Sequence, residues 1–422
     1  MPSDSSYFLQ GTNRRLPVTT GSMLGRGRVA EVFEIREPPE AASLALKLFH
    51  GPLPDEITRL VDFAKLRRLD QLVPMGVSED DSFPLVACPK CLVYDRPDAT
   101  TPIGLAVLRT DTVRFLPLSS WMQSSRVQRD LKFCVTAATR LAEALEAIHG
   151  CGFVVGDVSG SNVLVDADGF CNLIDVDSFG VTAPGGGLIL SPKFATNNFF
   201  APEMPTEGPS LASDRFSLGL IATQFLLGGM HPFGGSHRTE QRDHVQGNIS
   251  TRDSWLFAPE SFNLPPECGP HLGIQCIPQW VHDSVRKALV GVPEERPAAA
   301  DWRIVLLRAH TQIAPCDSCG SDRFRGAVCR TCGDGARLGR AGARRRNAAA
   351  TSRRQSPVPA AEAKRSPAAE APPPEDGPDR PPRSSRPSSV GWPARSARAR
   401  WVPIVCAVVL AALLVAVLIA LQ

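Results

Sequence analysis

A break in composition near residue 335 most constrains how this chain can fold. From 336 to 401 the sequence is rich in Ala, Pro, Ser and Arg and almost free of large apolar side chains. No core can form there to offset the entropy of ordering the backbone, so the stretch reads as a flexible tether. Its roughly 66 residues give a root-mean-square reach of roughly 45 Å. Whatever folds must lie before it, where there is room for one domain of about 250 to 300 residues and small appendages.

Charge divides at the same place. The formal net charge is +3, yet 336–401 holds 15 Lys or Arg against 5 Asp or Glu, or +10, leaving −7 for the rest. A mildly acidic folded part argues against a nucleic-acid-binding core, which would present a basic face of its own, and no nucleic-acid partner is expected. The arginines of the tether could rest on anionic lipid, although a solvated linker accounts for them equally well.

The stretch 402–421 follows without a charged residue and with a single proline. Twenty residues at 1.5 Å each span a hydrocarbon core, so a transmembrane helix is expected. Arg395, Arg398 and Arg400 precede it, and the positive-inside rule then places the folded part in the cytosol. The expected location is the cell membrane, single-pass, anchored through this C-terminal helix. No apolar leader opens the chain, so its 12 cysteines are expected in a reducing compartment rather than in disulfides. Cys88 and Cys91 read as small apolar residues on a strand.

Four other cysteines have metal-ligand spacing. Cys316 and Cys319 form one Cys-x-x-Cys pair, and Cys329 and Cys332 form another after nine intervening residues. Two such knuckles can present four thiolates to Zn²⁺, and the stretch is too short to fold on an apolar core. A structural zinc ribbon over 313–335 is expected, with no open ligand position for catalysis. A redox dithiol would need only one pair.

Before residue 315, apolar alternation over 29–35 and 44–49 predicts strands, and helical spacing over 131–149 predicts a long helix. Strands come early and helices late, which indicates an α+β class with a sheet-rich beginning and a helical end. Within this frame lie Gly25-Arg-Gly27-Arg-Val-Ala-Glu-Val32, then Ala45-Leu-Lys47, then Val155-Gly-Asp157-Val-Ser-Gly-Ser-Asn162-Val-Leu164. Leu173-Ile-Asp175-Val-Asp177, Phe200-Ala-Pro-Glu203, Asp214-Arg-Phe-Ser-Leu-Gly219, His231-Pro-Phe233 and Pro293-Glu-Glu-Arg296-Pro297 complete the series. Glycines let a backbone approach phosphates, and Asp157 and Asp175 each end an apolar run, where a solvated charge would gain nothing.

Taken together, the order resembles the signature set of bacterial eukaryotic-like serine/threonine protein kinases over about residues 20 to 310. The resemblance implies a two-lobed fold, with a β-rich N-lobe over 15–115 and a helical C-lobe over 116–312. It implies that Gly25, Gly27 and Lys47 contact the phosphates of ATP, that Val32, Ala45 and Leu164 sandwich the adenine, and that Asp157 orients a substrate hydroxyl. Asn162 and Asp175 would hold Mg²⁺ or Mn²⁺, with Asp177 as an additional metal ligand. Glu56 would pair with Lys47, Glu203 with Arg296, and Thr196 would support the catalytic loop. The expected partners are protein substrates and the membrane.

Three departures bear on activity. Gly156 stands where the family has an arginine that binds a phosphorylated activation loop, so control by that route is not expected. Ser159 replaces a lysine that would neutralise the transferring phosphoryl group, and Asp177 replaces a glycine. Val155 and Val176 replace His and Phe but keep an apolar spine feasible. A pseudokinase serving as a nucleotide-binding or scaffold module is therefore one alternative. A small-molecule kinase is another, disfavoured because Ala201-Pro202-Glu203 and the Asp214 helix belong to a protein-substrate platform.

Overall fold

The computed structural model describes residues 6–335 except 13, 79–80, 193–195, 241–243 and 265–270. The expected tether at 336–401 and membrane span at 402–421 lie outside the described residues. Among the described residues no helix is long and apolar enough to cross a membrane.

The N-terminal lobe is a closed barrel. Its strands are β1 (Ser6–Leu9), β2 (Leu16–Arg26), β3 (Ala30–Glu37), β4 (Leu44–Phe49), β5 (Pro89–Tyr94) and β6 (Gly104–Leu108), hydrogen-bonded in the order β1-β2-β3-β4-β6-β5. Closure comes from β1, where Phe8 faces Tyr94 and Leu9 faces Val93. The lobe thus starts at Ser6, ahead of the boundary at 15 expected from sequence. That strand is four residues long and was too short to carry a period of its own. The expected strands at 29–35 and 44–49 are β3 and β4. Cys91 lies on β5 with Cys88 just before it, both buried. Burial pushes the Cys88 thiol up to about 12, which makes it the apolar filler that the sequence suggested.

Between β4 and β5 runs α1 (Asp55–Leu66). Asp55 and Glu56 in its first turn complement the positive helix end, and Ile57, Leu60, Val61 and Ala64 recur at helical spacing to form its buried face.

The second lobe begins with the short strand β7 (Leu116–Pro117) and the helices α2 (Leu118–Met122) and α3 (Ser125–Arg129). Next comes α4 (Leu131–Gly150), started by Asp130, whose side chain accepts from the Phe133 amide. Short strands β8 (Phe153–Val154), β9 (Val163–Val165), β10 (Cys171–Leu173), β11 (Gly180–Thr182) and β12 (Leu188–Leu190) carry the loops that bear the motifs. Helix α5 (Met204–Glu207) precedes α6 (Leu211–Leu226), which opens on a Ser210–Ser213 capping box and is buried on nearly every face. The lobe continues through β13 (Ser236–His237), α7 (His244–Ser250), β14 (Phe262–Asn263), α8 (His282–Val290) and α9 (Ala299–His310).

The cysteine pairs follow on a hairpin of β15 (Ile313–Pro315) and β16 (Asp322–Phe324). Phe324 is fully buried and belongs, with Ala327, to the same apolar core as α4, α6 and α9. The cysteine-bearing hairpin is thus packed against the C-lobe core.

Candidate active site

The motif residues converge on the cleft between the lobes. At its inner end Val32, Ala45, Val107, Leu108 and Leu164 line an apolar cavity of about 150 Å³. Flat apolar walls suit an aromatic base, and the three residues expected to sandwich adenine all take part. Toward solvent the cleft widens to about 590 Å³ under the β2–β3 turn, lined by Gly25, Gly27, Arg28, Lys47, Asp157, Asn162, Asp175, Asp177 and Thr196. The turn is closed by the Gly27 amide, which donates to the Ala30 carbonyl at 2.8 Å. No atom lies within 4 Å of where a Cβ on Gly25 would stand, so the turn leaves open space of the kind a phosphate fills.

Strand β4 carries Lys47 into this cleft, buried but for 7% of its surface. Its ammonium lies 2.9 Å from Asp175 Oδ1 and also donates to Asp177 Oδ1. Burial alone would lower its pKa, but the Asp177 and Asp175 charges outweigh that and raise it, so Lys47 is a cation. The expected pairing with Glu56 is replaced by these two carboxylates. Glu56 sits exposed in the first turn of α1.

Asp175 adopts the left-handed conformation, φ 62° and ψ 41°, at the entry to a 3-10 turn over Val176–Ser178. Non-glycine residues pay for that conformation, and such strain clusters at functional sites. Here the turn delivers Asp175 to the cleft beside Asn162.

In the catalytic loop, Asp157 Oδ2 accepts from Asn162 Nδ2 at 2.8 Å and from Thr196 Oγ1 at 2.9 Å, and Oδ1 accepts from the Thr196 amide at 2.9 Å. The loop is held from beneath by Asp214 of α6. Its carboxylate, 1% exposed, accepts from the Val155 and Gly156 amides at 2.8 and 2.9 Å and lies 3.0 Å from His149 Nε2. Val155 and Val176 are buried in one core with Leu60 of α1, so the apolar spine is packed.

The departures now have physical readings. Gly156 has φ 76°, and a Cβ there would lie 2.4 Å from Pro192 Cβ, so the backbone itself excludes the arginine of the family pattern. Ser159 is wholly buried, its hydroxyl 3.1 Å from that of Ser161. It does not reach into the cleft, where Arg26, Arg28 and Lys47 are the cations in the lining, Arg26 being paired with Glu31 at 2.6 Å.

Beyond the loop, Glu203 and Arg296 form the expected buried pair, bidentate at 2.5 and 2.8 Å. Burial raises the carboxyl's pKa, but hydrogen bonds and charge from Arg296 prevail and hold it below the usual value. Arg296 also donates to the Ala212 carbonyl at 3.0 Å, tying the Ala-Pro-Glu segment to α6.

At the hairpin, the sulfurs of Cys316, Cys319, Cys329 and Cys332 all lie within 4.8 Å of one another. Cys316–Cys332 and Cys319–Cys329 are 3.7 Å apart, too long for disulfides. A tetrahedral metal with bonds of about 2.3 Å to sulfur would give edges of roughly 3.8 Å, so the four thiols fit Zn²⁺. Hydrogen bonds from the amide and hydroxyl of Ser321 lower the pKa of the Cys319 thiol, while the neighbouring thiols, Cys319 foremost, push that of Cys332 up, so without a metal the four sulfurs do not share thiolate character evenly.

Sequence reasoning missed three partners. His149, the single histidine of α4, gave no sign of lying under Asp214. The Lys47–Asp177 pair joins residues 130 apart. Arg330, between the two cysteines of the second knuckle, donates to the Phe225 and Val127 carbonyls of the C-lobe, and a cation between metal ligands was the only signal.

Comparison with known proteins agrees with this geometry. Residues 110–303 match the model of the protein kinase domain, beginning just after the barrel. Protein kinase YegI of Escherichia coli is 24% identical over 315 residues, covering 71% of this chain and 45% of that protein. The probable serine/threonine-protein kinase PkwA of Thermomonospora curvata is 39% identical over 103 residues, 23% of this chain and 13% of its own length. The cGMP-dependent protein kinase 2 of Rattus norvegicus is 34% identical over 106 residues, 25% of this chain and 13% of that protein. The chain thus spans less than half the length of the YegI protein it matches. A family model matched over residues 110–303, a two-lobed fold and a cleft that gathers the motif residues agree that this part of the chain is similar to the protein kinase domain.

Proposed function

We propose that the domain transfers the γ-phosphoryl group of ATP to Ser or Thr hydroxyls of protein substrates. The observation that carries this reading is the joint presence in one cleft of Lys47, Asp175, Asn162 and a Thr196-held Asp157, with the Glu203–Arg296 pair bracing the substrate side. Thr196 in contact with the loop carboxylate is the feature that the kinase pattern associates with Ser and Thr acceptors. Asn162 and the half-exposed Asp175 offer oxygen donors at the cleft, which fits Mg²⁺ or Mn²⁺.

Bound with the nucleotide, the metal ion supplies charge that neutralises the triphosphate. The chain's own residues do the rest. Lys47 holds the phosphates, the β2–β3 turn covers them, and Asp157 orients the acceptor hydroxyl and takes up its proton. Since phosphoryl transfer passes through a loose, charged transition state, such positioning and electrostatics constitute most of the catalysis.

The buried Ser159 favours a second reading, a pseudokinase that binds nucleotide without turnover, because no lysine is offered from that position. Incubating the full chain in detergent with γ-labelled ATP and Mg²⁺ or Mn²⁺ decides between them. Label on the chain that disappears in Asp157→Asn supports transfer; nucleotide binding with no label in either protein supports the second reading.

Our proposal extends to location and metal. Arg395, Arg398 and Arg400 before the uncharged stretch 402–421 support a membrane-bound chain with its kinase domain in the cytosol. Protease added to intact spheroplasts should leave an N-terminal tag uncut until the membrane is broken. Cleavage of the tag in intact spheroplasts would overturn the orientation. The four-thiol cluster supports structural Zn²⁺, one per chain, which metal analysis of the purified protein reads directly.

A further inference from the structure

The two carboxylates that meet Lys47 differ in access. The side chain of Asp175 is 49% exposed, whereas that of Asp177 is 8% exposed and that of Lys47 is 9% exposed. A metal arriving with a nucleotide can reach Asp175 from the cleft. Half-exposed, Asp175 is also screened by solvent before any metal arrives, so with or without a metal the buried Asp177 is the partner that fixes the lysine. A lysine stem is flexible and a buried ammonium without a fixed partner is costly, so its aim depends on such a partner.

The backbone makes Asp177 a rigid one. The turn that carries it is pinned at Ser178, whose amide and hydroxyl donate to the Asp175 carbonyl at 3.0 and 2.8 Å. We propose that Asp177 is a positioning residue, setting Lys47 for the phosphates from the metal-binding loop itself, and that it is not a metal ligand. The proposal rests on the phosphoryl-transfer reading. Its consequence is that Lys47 keeps its geometry whatever the position of α1, because anchor and metal ligand share one turn.

The test separates nucleotide binding from metal binding in the full chain. Fluorescent ADP is titrated in EDTA, without any divalent ion, and Mn²⁺ is titrated by electron paramagnetic resonance at saturating ADP. We expect Asp177→Asn to weaken metal-free ADP binding about ten-fold, the scale of one hydrogen bond to a charged group, with Mn²⁺ affinity unchanged. Asp175→Asn should weaken Mn²⁺ instead. Lys47→Met should match the ADP loss of Asp177→Asn, and the double variant should lose no more than either. If Asp177→Asn alone folds poorly, recovery of the melting temperature in Lys47→Met/Asp177→Asn shows the same pairing, because both charges are then gone. Weakened Mn²⁺ binding with metal-free ADP binding intact in Asp177→Asn, or strictly additive losses, would overturn the proposal. Failure of the unsubstituted chain to bind ADP would instead overturn the phosphoryl-transfer reading, and the proposal with it.

Discussion

Thr196 grips the carboxylate of Asp157 from two sides, its hydroxyl donating to Oδ2 and its amide to Oδ1, each at 2.9 Å. One residue of the segment preceding Ala-Pro-Glu therefore fixes the rotamer of the acidic group that must meet the acceptor hydroxyl. Removing the hydroxyl leaves the amide bond in place, so the loss should fall on rate rather than on folding. A hydrogen bond to a charged group contributes about 1.5 to 3 kcal/mol, which sets an expected fall in kcat of roughly ten-fold or more for Thr196→Ala. Thr196→Ser should recover most of it. Initial rates of autophosphorylation together with melting curves check this, and an unchanged rate in Thr196→Ala would show that Asp157 needs no such support.

The Glu203–Arg296 pair gives a stability prediction with a sign. Both side chains are buried, so Arg296→Ala leaves an uncompensated carboxylate and should destabilise by about 3 to 5 kcal/mol. Because the folded pKa of Glu203 lies below its ordinary value of 4.5, the pair's contribution is present above that value and is lost as pH falls through the folded pKa. Melting temperature followed from pH 7 downward should therefore begin to fall near pH 4.5 in the unsubstituted protein. Glu203→Gln should start lower and show a shallower acid decline. Equal slopes in the two proteins would show that the pair does not contribute to the acid limb.

Much of this was legible in the sequence because its signals are local or ordered. Helix α4 announced itself by the spacing of Leu131, Val135, Ala138, Leu141, Leu145 and Ile148, all buried. Asp157, Asn162, Asp175, Glu203 and Arg296 were legible through their order along the chain. Strand β1 was not, since four residues cannot show a period and its pairing with β5 lies more than 80 residues away. The partner of Lys47 was misread for a related reason. The resemblance called for a helix glutamate, and Glu56 stood at a short interval for it; that Lys47 meets Asp175 and Asp177 instead depends on where the 3-10 turn points its carboxylates, which only the fold decides.

Gly156 marks a place where the family's own residue should fail. Its φ of 76° and the 2.4 Å approach of Pro192 to a Cβ leave no room for a side chain. Restoring the arginine of the common pattern with Gly156→Arg should destabilise the chain by about 1 to 3 kcal/mol from backbone strain alone, before any clash is counted. Gly156→Ala tests the backbone term with the least added bulk. A Gly156→Ala protein as stable and active as the original would show that Pro192 yields easily and that the glycine is not required by shape.

A metal on the four thiols of the cysteine hairpin would be a determinant of C-lobe stability. Arg330 lies between Cys329 and Cys332, and its guanidinium donates to the Phe225 carbonyl of α6 at 3.3 Å and to the Val127 carbonyl of α3 at 3.2 Å. Phe324 on the same hairpin is fully buried in the C-lobe core, and the Val328 amide donates to the Gln275 carbonyl at 3.0 Å. A metal that fixes the two knuckles thus fixes an arginine across the ends of two helices and an aromatic ring beneath them. Free energy of metal binding becomes folding free energy when the site does not exist in the unfolded chain. Trp255 and Trp302, both fully buried in the C-lobe, report its unfolding by fluorescence. Zinc removal by a chelator, or the double substitution Cys316→Ser/Cys319→Ser, should lower the tryptophan-detected melting temperature. Arg330→Met should lower it by a few degrees with zinc retained, since it loses two hydrogen bonds worth about 1 kcal/mol each. A tryptophan transition that stays in place when zinc leaves would mean that the hairpin melts alone, and the C-lobe core would then have to be complete without Phe324.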